Sequence, residues 1–222
     1  MHNKKAFTLT ELIIALGIIG TIAALSVPTL IKNINRKILA TQLKNTVGSI
    51  QQLVTDEMVI KKTKNLSDTD FGNSESLLNG HFEIAGPCDD DNKCWASNYR
   101  FINPINNGDS ITVSSEIYSR RLKNGVTIGY TLAQGDSNEE PKASNGEDAF
   151  GIFYVDTNGT DDPNIIGRDM FMFYLTPKGK LLGIDEERSC YDPFFADVRA
   201  GLSCFTKLVN NNWKMPDNDE DY

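Results

Sequence analysis

The stretch Lys4-Lys5-Ala6-Phe7-Thr8-Leu9-Thr10-Glu11, continued by LIIALGIIGTIAALSVPTLI over residues 12–31, decides the architecture of this chain. Residues 12–31 are twenty positions without a formal charge, the length a helix needs to cross a bilayer's hydrocarbon core at about 1.5 Å per residue. Thirteen side chains between Phe7 and Ile31 are Phe, Leu, Ile or Val. Leaving them in water would cost on the order of 20–40 kcal/mol at roughly 1.5–3 kcal/mol each. The segment therefore belongs in lipid or in a protein bundle. Glu11 is the one charge between Lys5 and Lys32, and a carboxylate inside an apolar span costs about 2.5–3.5 kcal/mol on insertion scales, so it marks a function or has a partner.

A secretory signal would place its small-residue cleavage site after the apolar run and the mature protein would lose the helix. Here a short basic leader, a small residue, Phe7, and Glu11 fifth after the junction resemble the processing site of type IV pilins and type II secretion pseudopilins. Gly20 and Pro28 also fall where that family carries its helix Gly and Pro. The departure is Ala6, where the family usually has Gly. The resemblance implies a cut between Ala6 and Phe7 by a dedicated prepilin peptidase, methylation of the new amino terminus, and an assembly role for Glu11 against the Phe7 amine of a neighbouring subunit. It also places the amino terminus in the cytoplasm. Charge cannot do so by itself, because Lys4 and Lys5 are matched by Lys32, Arg36 and Lys37 beyond the span.

Past Pro28, the residues Leu39, Leu43, Val47, Ile50, Val54 and Met58 recur every three or four positions, which predicts an amphipathic continuation whose apolar stripe carries a folded domain. Pro28 lacks the N–H that would bond the carbonyl of Ala24, so a kink or local melting is expected there rather than an end. The expected organisation is a leader over residues 1–6, a transmembrane and assembly helix over 7–31, its amphipathic continuation over 32–64, and an extracytoplasmic globular domain over 65–222. The segment NLSDTDFGNSES reads as a surface loop. Alternating or dense apolar runs then predict strands around Ile111, Val113 and Ile117, around Val126, Ile128, Tyr130 and Leu132, and over 150–155, 170–175 and 181–184. Thr176, Pro177, Lys178 and Gly179 supply a hairpin turn between the last two. A helix followed by strands indicates an α+β fold with the helix packed on an antiparallel sheet, the order that the pilin family also has. The tail over 216–222, with four acidic residues, reads as disordered.

Four cysteines behind a membrane segment suit an oxidising compartment. Three pairings are possible, and the two local ones, Cys88 with Cys94 and Cys190 with Cys204, are expected; the second resembles the carboxy-terminal disulfide loop of many pilins. A zinc site on the cysteines is disfavoured, since no CxxC occurs and His81 is the one histidine outside the leader. The sharpest candidate in the domain is DTNGTDDPNIIGRD, residues 156–169. Asp156, Asn158, Asp161, Asp162 and Asp169 could supply several of the six to eight oxygens that calcium requires. The spacing is not that of an EF-hand, because Gly159 stands fourth rather than sixth. Two readings stand: a calcium loop, as some pseudopilins carry in this general region, or a strand-connecting turn whose Asp and Asn side chains bond their own backbone. The run Asp89, Asp90, Asp91 reads as a solvated tip.

The formal net charge of -8 becomes -10 when the leader takes Lys4 and Lys5 with it, which disfavours a nucleic-acid surface. GxSxG, HExxH and GxxxxGK[ST] are all absent, and acidic neighbours such as Glu139 and Glu140 or Glu186 and Glu187 read as solvated loops, so no enzyme is expected. The resemblance implies a filament subunit. Its partners would be other pilin or pseudopilin subunits, prepilin peptidase, the inner-membrane assembly machinery and the membrane, with the domain in the periplasm or at the cell surface. The alternative is a membrane-anchored, calcium-dependent adhesin or binding module that does not polymerise.

Overall fold

The computed structural model describes residues 8–86, 88, 94–102, 110–114, 116–133, 141–184, 190 and 200–216. The acidic run Asp89–91, the pairs at 139–140 and 186–187, and the tail over 217–222 lie outside the described residues. The chain divides into two compact units, Met1–Ile38 and Leu39–Tyr222.

Helix α1 covers Leu9–Ile60. It opens with a capping box: Thr8 N donates to Glu11 Oε2 at 2.9 Å, and Glu11 N donates back to Thr8 Oγ1 at 3.2 Å. Pro28 sits inside the helix without ending it. In the first unit the apolar side chains are exposed, among them Leu12, Ile13, Leu16, Ile19, Ile22 and Leu25. It is the one described helix long and apolar enough to cross a membrane, which fits an inner-membrane anchor. The helix closes on Lys62 in the left-handed region at φ 51°, with Thr63 N reaching back to Met58 O at 3.1 Å, the pattern that satisfies orphan carbonyls at a C-terminus.

In the second unit the stripe behaves as its spacing predicts. Leu39, Leu43, Val47, Ile50 and Val54 are buried, and the last four enter the domain core. The segment read as a surface loop is instead two single-turn 3₁₀ helices, Leu66–Asp68 and Asp70–Gly72, and helix α2, Ser74–His81. Three of its polar residues are N-caps. Asn65 accepts from Ser67 N, Thr69 from Phe71 N, and Asn73 from Ser76 N. The four apolar residues Leu66, Phe71, Leu77 and Leu78 are buried. Asn, Thr and Ser serve turns and N-caps alike, so composition alone could not separate the two.

Among the described residues nine strands follow: β1 Ile84–Gly86, β2 Tyr99–Phe101, β3 Ser110–Ile111, β4 Tyr118–Leu122, β5 Thr127–Leu132, β6 Gly151–Asp156, β7 Ile165–Ile166, β8 Met170–Leu175 and β9 Leu181–Leu182. They form one sheet in the order β1-β4-β5-β6-β8-β7-β2-β3, with β9 also on β8. The α+β layout is the expected one, but the sheet is mixed. Pairings β2 with β7 and β7 with β8 are parallel; the second is the single residue pair Ile166 with Met170, all that so short a connection allows, since a parallel ladder needs a crossover of a dozen or more residues. Val113 and Ile117 are buried outside any strand.

Register places Tyr130, Phe153 and Phe173 abreast on β5, β6 and β8. Their rings continue a line of contacts from Phe71 to Phe205 and Trp213. Phe205 belongs to helix α3, Ala200–Asn210, an element the strand reading omitted although Leu202, Phe205 and Leu208 keep helical spacing. Both expected disulfides are present: Cys88 with Cys94 and Cys190 with Cys204, at Cα separations of 5.0 and 4.7 Å.

Candidate functional site

Two regions hold the residues singled out from sequence. The first is the amino-terminal end of α1. Ala6 and Phe7 lie outside the described residues. Glu11 faces back along its own chain, where Oε2 also accepts from Thr8 Oγ1 at 2.8 Å. A capping carboxylate is thus already supplied with donors from its own chain.

The second region is the connection between β6 and β8. Asp156 ends β6 and Asp169 immediately precedes β8, and register sets Asp156 opposite Met170. Both acids are fully buried. Asp156 Oδ2 accepts from the Tyr99 hydroxyl at 2.6 Å and Oδ1 from Asn158 N at 3.2 Å. Asp169 Oδ1 accepts from Ile165 N at 2.6 Å, and its carbonyl receives Thr157 N at 2.9 Å, closing the base of the loop. Burial pushes the Asp156 carboxyl up to about 8, with the charge of Asp169 adding to the effect. Burial raises Asp169 to about 6 against several backbone N–H groups that favour its ionised form. Burial, and then Asp156, drive the Tyr99 phenol far upward, so it remains a donor at any physiological pH. Two carboxylates withdrawn from water and repelling one another require either a proton or a cation.

The rest of the loop divides clearly. Asn158 Nδ2 donates to the carbonyls of Asp161 and Asp162 at 2.7 and 3.0 Å, while Asp161 and Asp162 are exposed, Asp162 Oδ1 accepting from Asn164 Nδ2 at 3.4 Å. Asn158 Oδ1, Asn164 Oδ1 and Asp169 Oδ2 are buried oxygens without a hydrogen-bond partner. A buried acceptor left unpaired costs about 1–3 kcal/mol, so such groups normally have a bound partner. All three belong to one loop that also holds the buried Asp156 carboxyl, and all are oxygens, the atom type that calcium takes. Of the five residues named from sequence, Asn158 and Asp169 carry partnerless buried oxygens, as Asn164 does, Asp156 is buried with both oxygens accepting hydrogen bonds, and Asp161 and Asp162 are exposed.

The scaffold fixes this loop from two sides. Gly159 has φ 70°, and a Cβ there would lie 2.6 Å from Arg121 Nη2, the group that donates to Thr160 Oγ1 at 2.7 Å. Gly167 has φ 88°, and its Cβ would meet the sulfurs of Cys204 and Cys190 at 2.7 and 2.8 Å. The carboxy-terminal disulfide is therefore packed directly on the loop. Tyr99 escaped the sequence reading because its role depends on β2 pairing with β7, inside the loop. Asn164 stood within the quoted segment, and its amide chemistry was the available signal.

Residues 1–27 match the family model for the prokaryotic N-terminal methylation motif. No curated protein and no solved structure matches the chain.

Proposed function

We propose that this chain, whose first 27 residues carry the prepilin signal of type IV pilins and pseudopilins, is a structural subunit of a type IV pilus or type II secretion-type filament. The motif is that of structural subunits rather than of enzymes. The observation that carries the reading is the match itself, which falls on an exposed apolar helix interrupted by a single carboxylate. In the proposed pathway prepilin peptidase cuts between Ala6 and Phe7, and the helix waits in the inner membrane with the domain outside. It then passes into a filament core without its apolar surface meeting water, so packing between helices and one polar contact can decide incorporation. That contact is Glu11 with the Phe7 amine of a neighbour, for which the carboxylate exchanges part of its Thr8 cap.

The β6–β8 loop is proposed as a calcium site with Asp156, Asn158, Asn164 and Asp169 as its side-chain donors. Three partnerless buried oxygens support it. Calcium would supply charge neutralisation to the acid pair, and the protein residues would hold the loop closed on Tyr99 and the Cys190 to Cys204 disulfide. The filament reading is tested by shearing surface fibres from cells that express the full chain and probing them for it. Presence at a fixed ratio to other fibre subunits is expected. A chain that stays wholly in the membrane fraction, in cells that do make fibres, rejects the filament role and favours a tethered binding module.

A further inference from the structure

A second group of ligating side chains lies away from the β6–β8 loop, where the end of α1 meets the 3₁₀ turn and α2. Glu57 comes from α1, Asp70 opens the second 3₁₀ turn, and His81 is the last residue of α2. One ligand atom from each lies within 4.8 Å of the other two. His81 Nε2 stands 2.7 Å from Asp70 Oδ2 and 3.7 Å from Glu57 Oε1. Glu57 Oε2 accepts from Asp70 N at 3.3 Å, which orients that carboxylate.

We propose that Glu57, Asp70 and His81 form a binding site for a divalent first-row transition metal of the zinc class, fastening the end of α1 to α2. Two carboxylate oxygens converge on one imidazole nitrogen, which can donate to at most one of them, Asp70 being within hydrogen-bond distance and Glu57 beyond it. The Glu57 side chain is only 5 % exposed, and its Oε1 is aimed at the same nitrogen from beyond hydrogen-bond range. A cation among the three atoms satisfies all of them together. Zinc bonds of roughly 2.0–2.2 Å in tetrahedral geometry put neighbouring ligand atoms about 3.3–3.5 Å apart, between the two observed separations, so small side-chain movements complete the site.

The ligand chemistry separates this site from the loop. An imidazole with two carboxylates suits zinc and its neighbours, whereas an oxygen-only set suits calcium. Lys61 Nζ lies 3.6 Å from Asp70 Oδ1, the oxygen turned away from His81. His81 and Asp70 are 21 % and 33 % exposed, which gives an ion a path and leaves the fourth position to water. The cysteine-based reasoning against zinc does not apply, since no cysteine takes part.

The test is calorimetric titration of untagged full-length protein in detergent, stripped with chelator, using zinc chloride alone in the presence of saturating calcium. One equivalent is expected to bind and to raise the melting temperature. Asp70→Asn, His81→Gln and Glu57→Gln should each weaken zinc binding at least tenfold, while Glu83→Gln, at a carboxylate 83 % exposed, leaves it unchanged. Circular dichroism of the metal-free variants identifies any that fail to fold, and the remaining ones decide. Absence of zinc binding by the wild type overturns the proposal. So does equal affinity in the folded variants, which would place the zinc elsewhere.

Discussion

The Tyr99 hydroxyl donates to Asp156 Oδ2 across 2.6 Å between two fully buried side chains from β2 and β6. The Tyr99 hydroxyl oxygen in turn accepts from Ala96 N at 3.1 Å, so one phenol connects the residues just after Cys94 with the base of the β6–β8 loop. Tyr99→Phe removes both contacts while keeping the ring. It should destabilise the protein by about 1–3 kcal/mol, the cost of leaving buried polar groups unpaired. Chemical denaturation of the full-length protein in detergent checks this, and an unchanged midpoint would show that water replaces the phenol.

Calcium should raise the melting temperature of the full-length protein. A ligand that binds only the native state adds about 2.7 kcal/mol at a hundredfold excess over its Kd. Asp169→Asn and Asp156→Asn should remove most of that gain, whereas Asp162→Asn, at an exposed carboxylate, should leave it intact. Identical melting in calcium and in chelator would leave the loop as a self-bonded turn.

The raised carboxyls make the metal-free protein sensitive to alkali. A group whose folded pKa lies above its unfolded one stabilises the fold fully below the unfolded value, and that contribution is lost as pH rises through the folded value. For Asp169 at about 6 and Asp156 at about 8, stability in chelator should decline between about pH 4 and pH 8. Melting curves across that range measure the slope, and Asp156→Asn should flatten it. A flat wild-type profile would mean that the pair is solvated.

The mature chain should begin at Phe7, carry one additional methyl group on its amine, and lack the leader's two lysines. Intact mass of membrane-extracted protein, from a host with active prepilin peptidase, reads this directly. A full-length mass would falsify the processing assignment, and Ala6→Gly should then be tried to learn whether the junction residue is responsible.

Glu11→Val should leave membrane insertion intact or improved, since a burial cost disappears. Entry into sheared fibres should nevertheless drop severalfold at matched expression, because the neighbour's Phe7 amine loses its counter-charge in a low-dielectric bundle. Thr8→Ala separates the capping contribution. It removes the Oγ1 contacts at 2.8 and 3.2 Å while keeping the carboxylate, so assembly should be largely retained. Equal fibre entry for Glu11→Val and wild type would remove Glu11 from the assembly step.

What the sequence determined by itself was whatever depends on spacing along one chain. The charge-free run after Glu11, the three-to-four-residue stripe from Leu39 to Val54, the dense runs of β6 and β8, and the local cysteine pairs all read correctly, because helix period, strand period and loop closure are properties of neighbours in sequence. The tertiary structure decided whatever depends on which distant groups lose their water together. Asn65, Thr69 and Asn73 are helix caps rather than loop residues, because Leu66, Phe71, Leu77 and Leu78 find a core to enter. Tyr99 reaches Asp156, Asp161 and Asp162 turn outward, and His81 meets Glu57 and Asp70, each through contacts between elements far apart in the chain. Burial creates the demand for a proton or a cation at these acids, and burial arises only when the elements are packed.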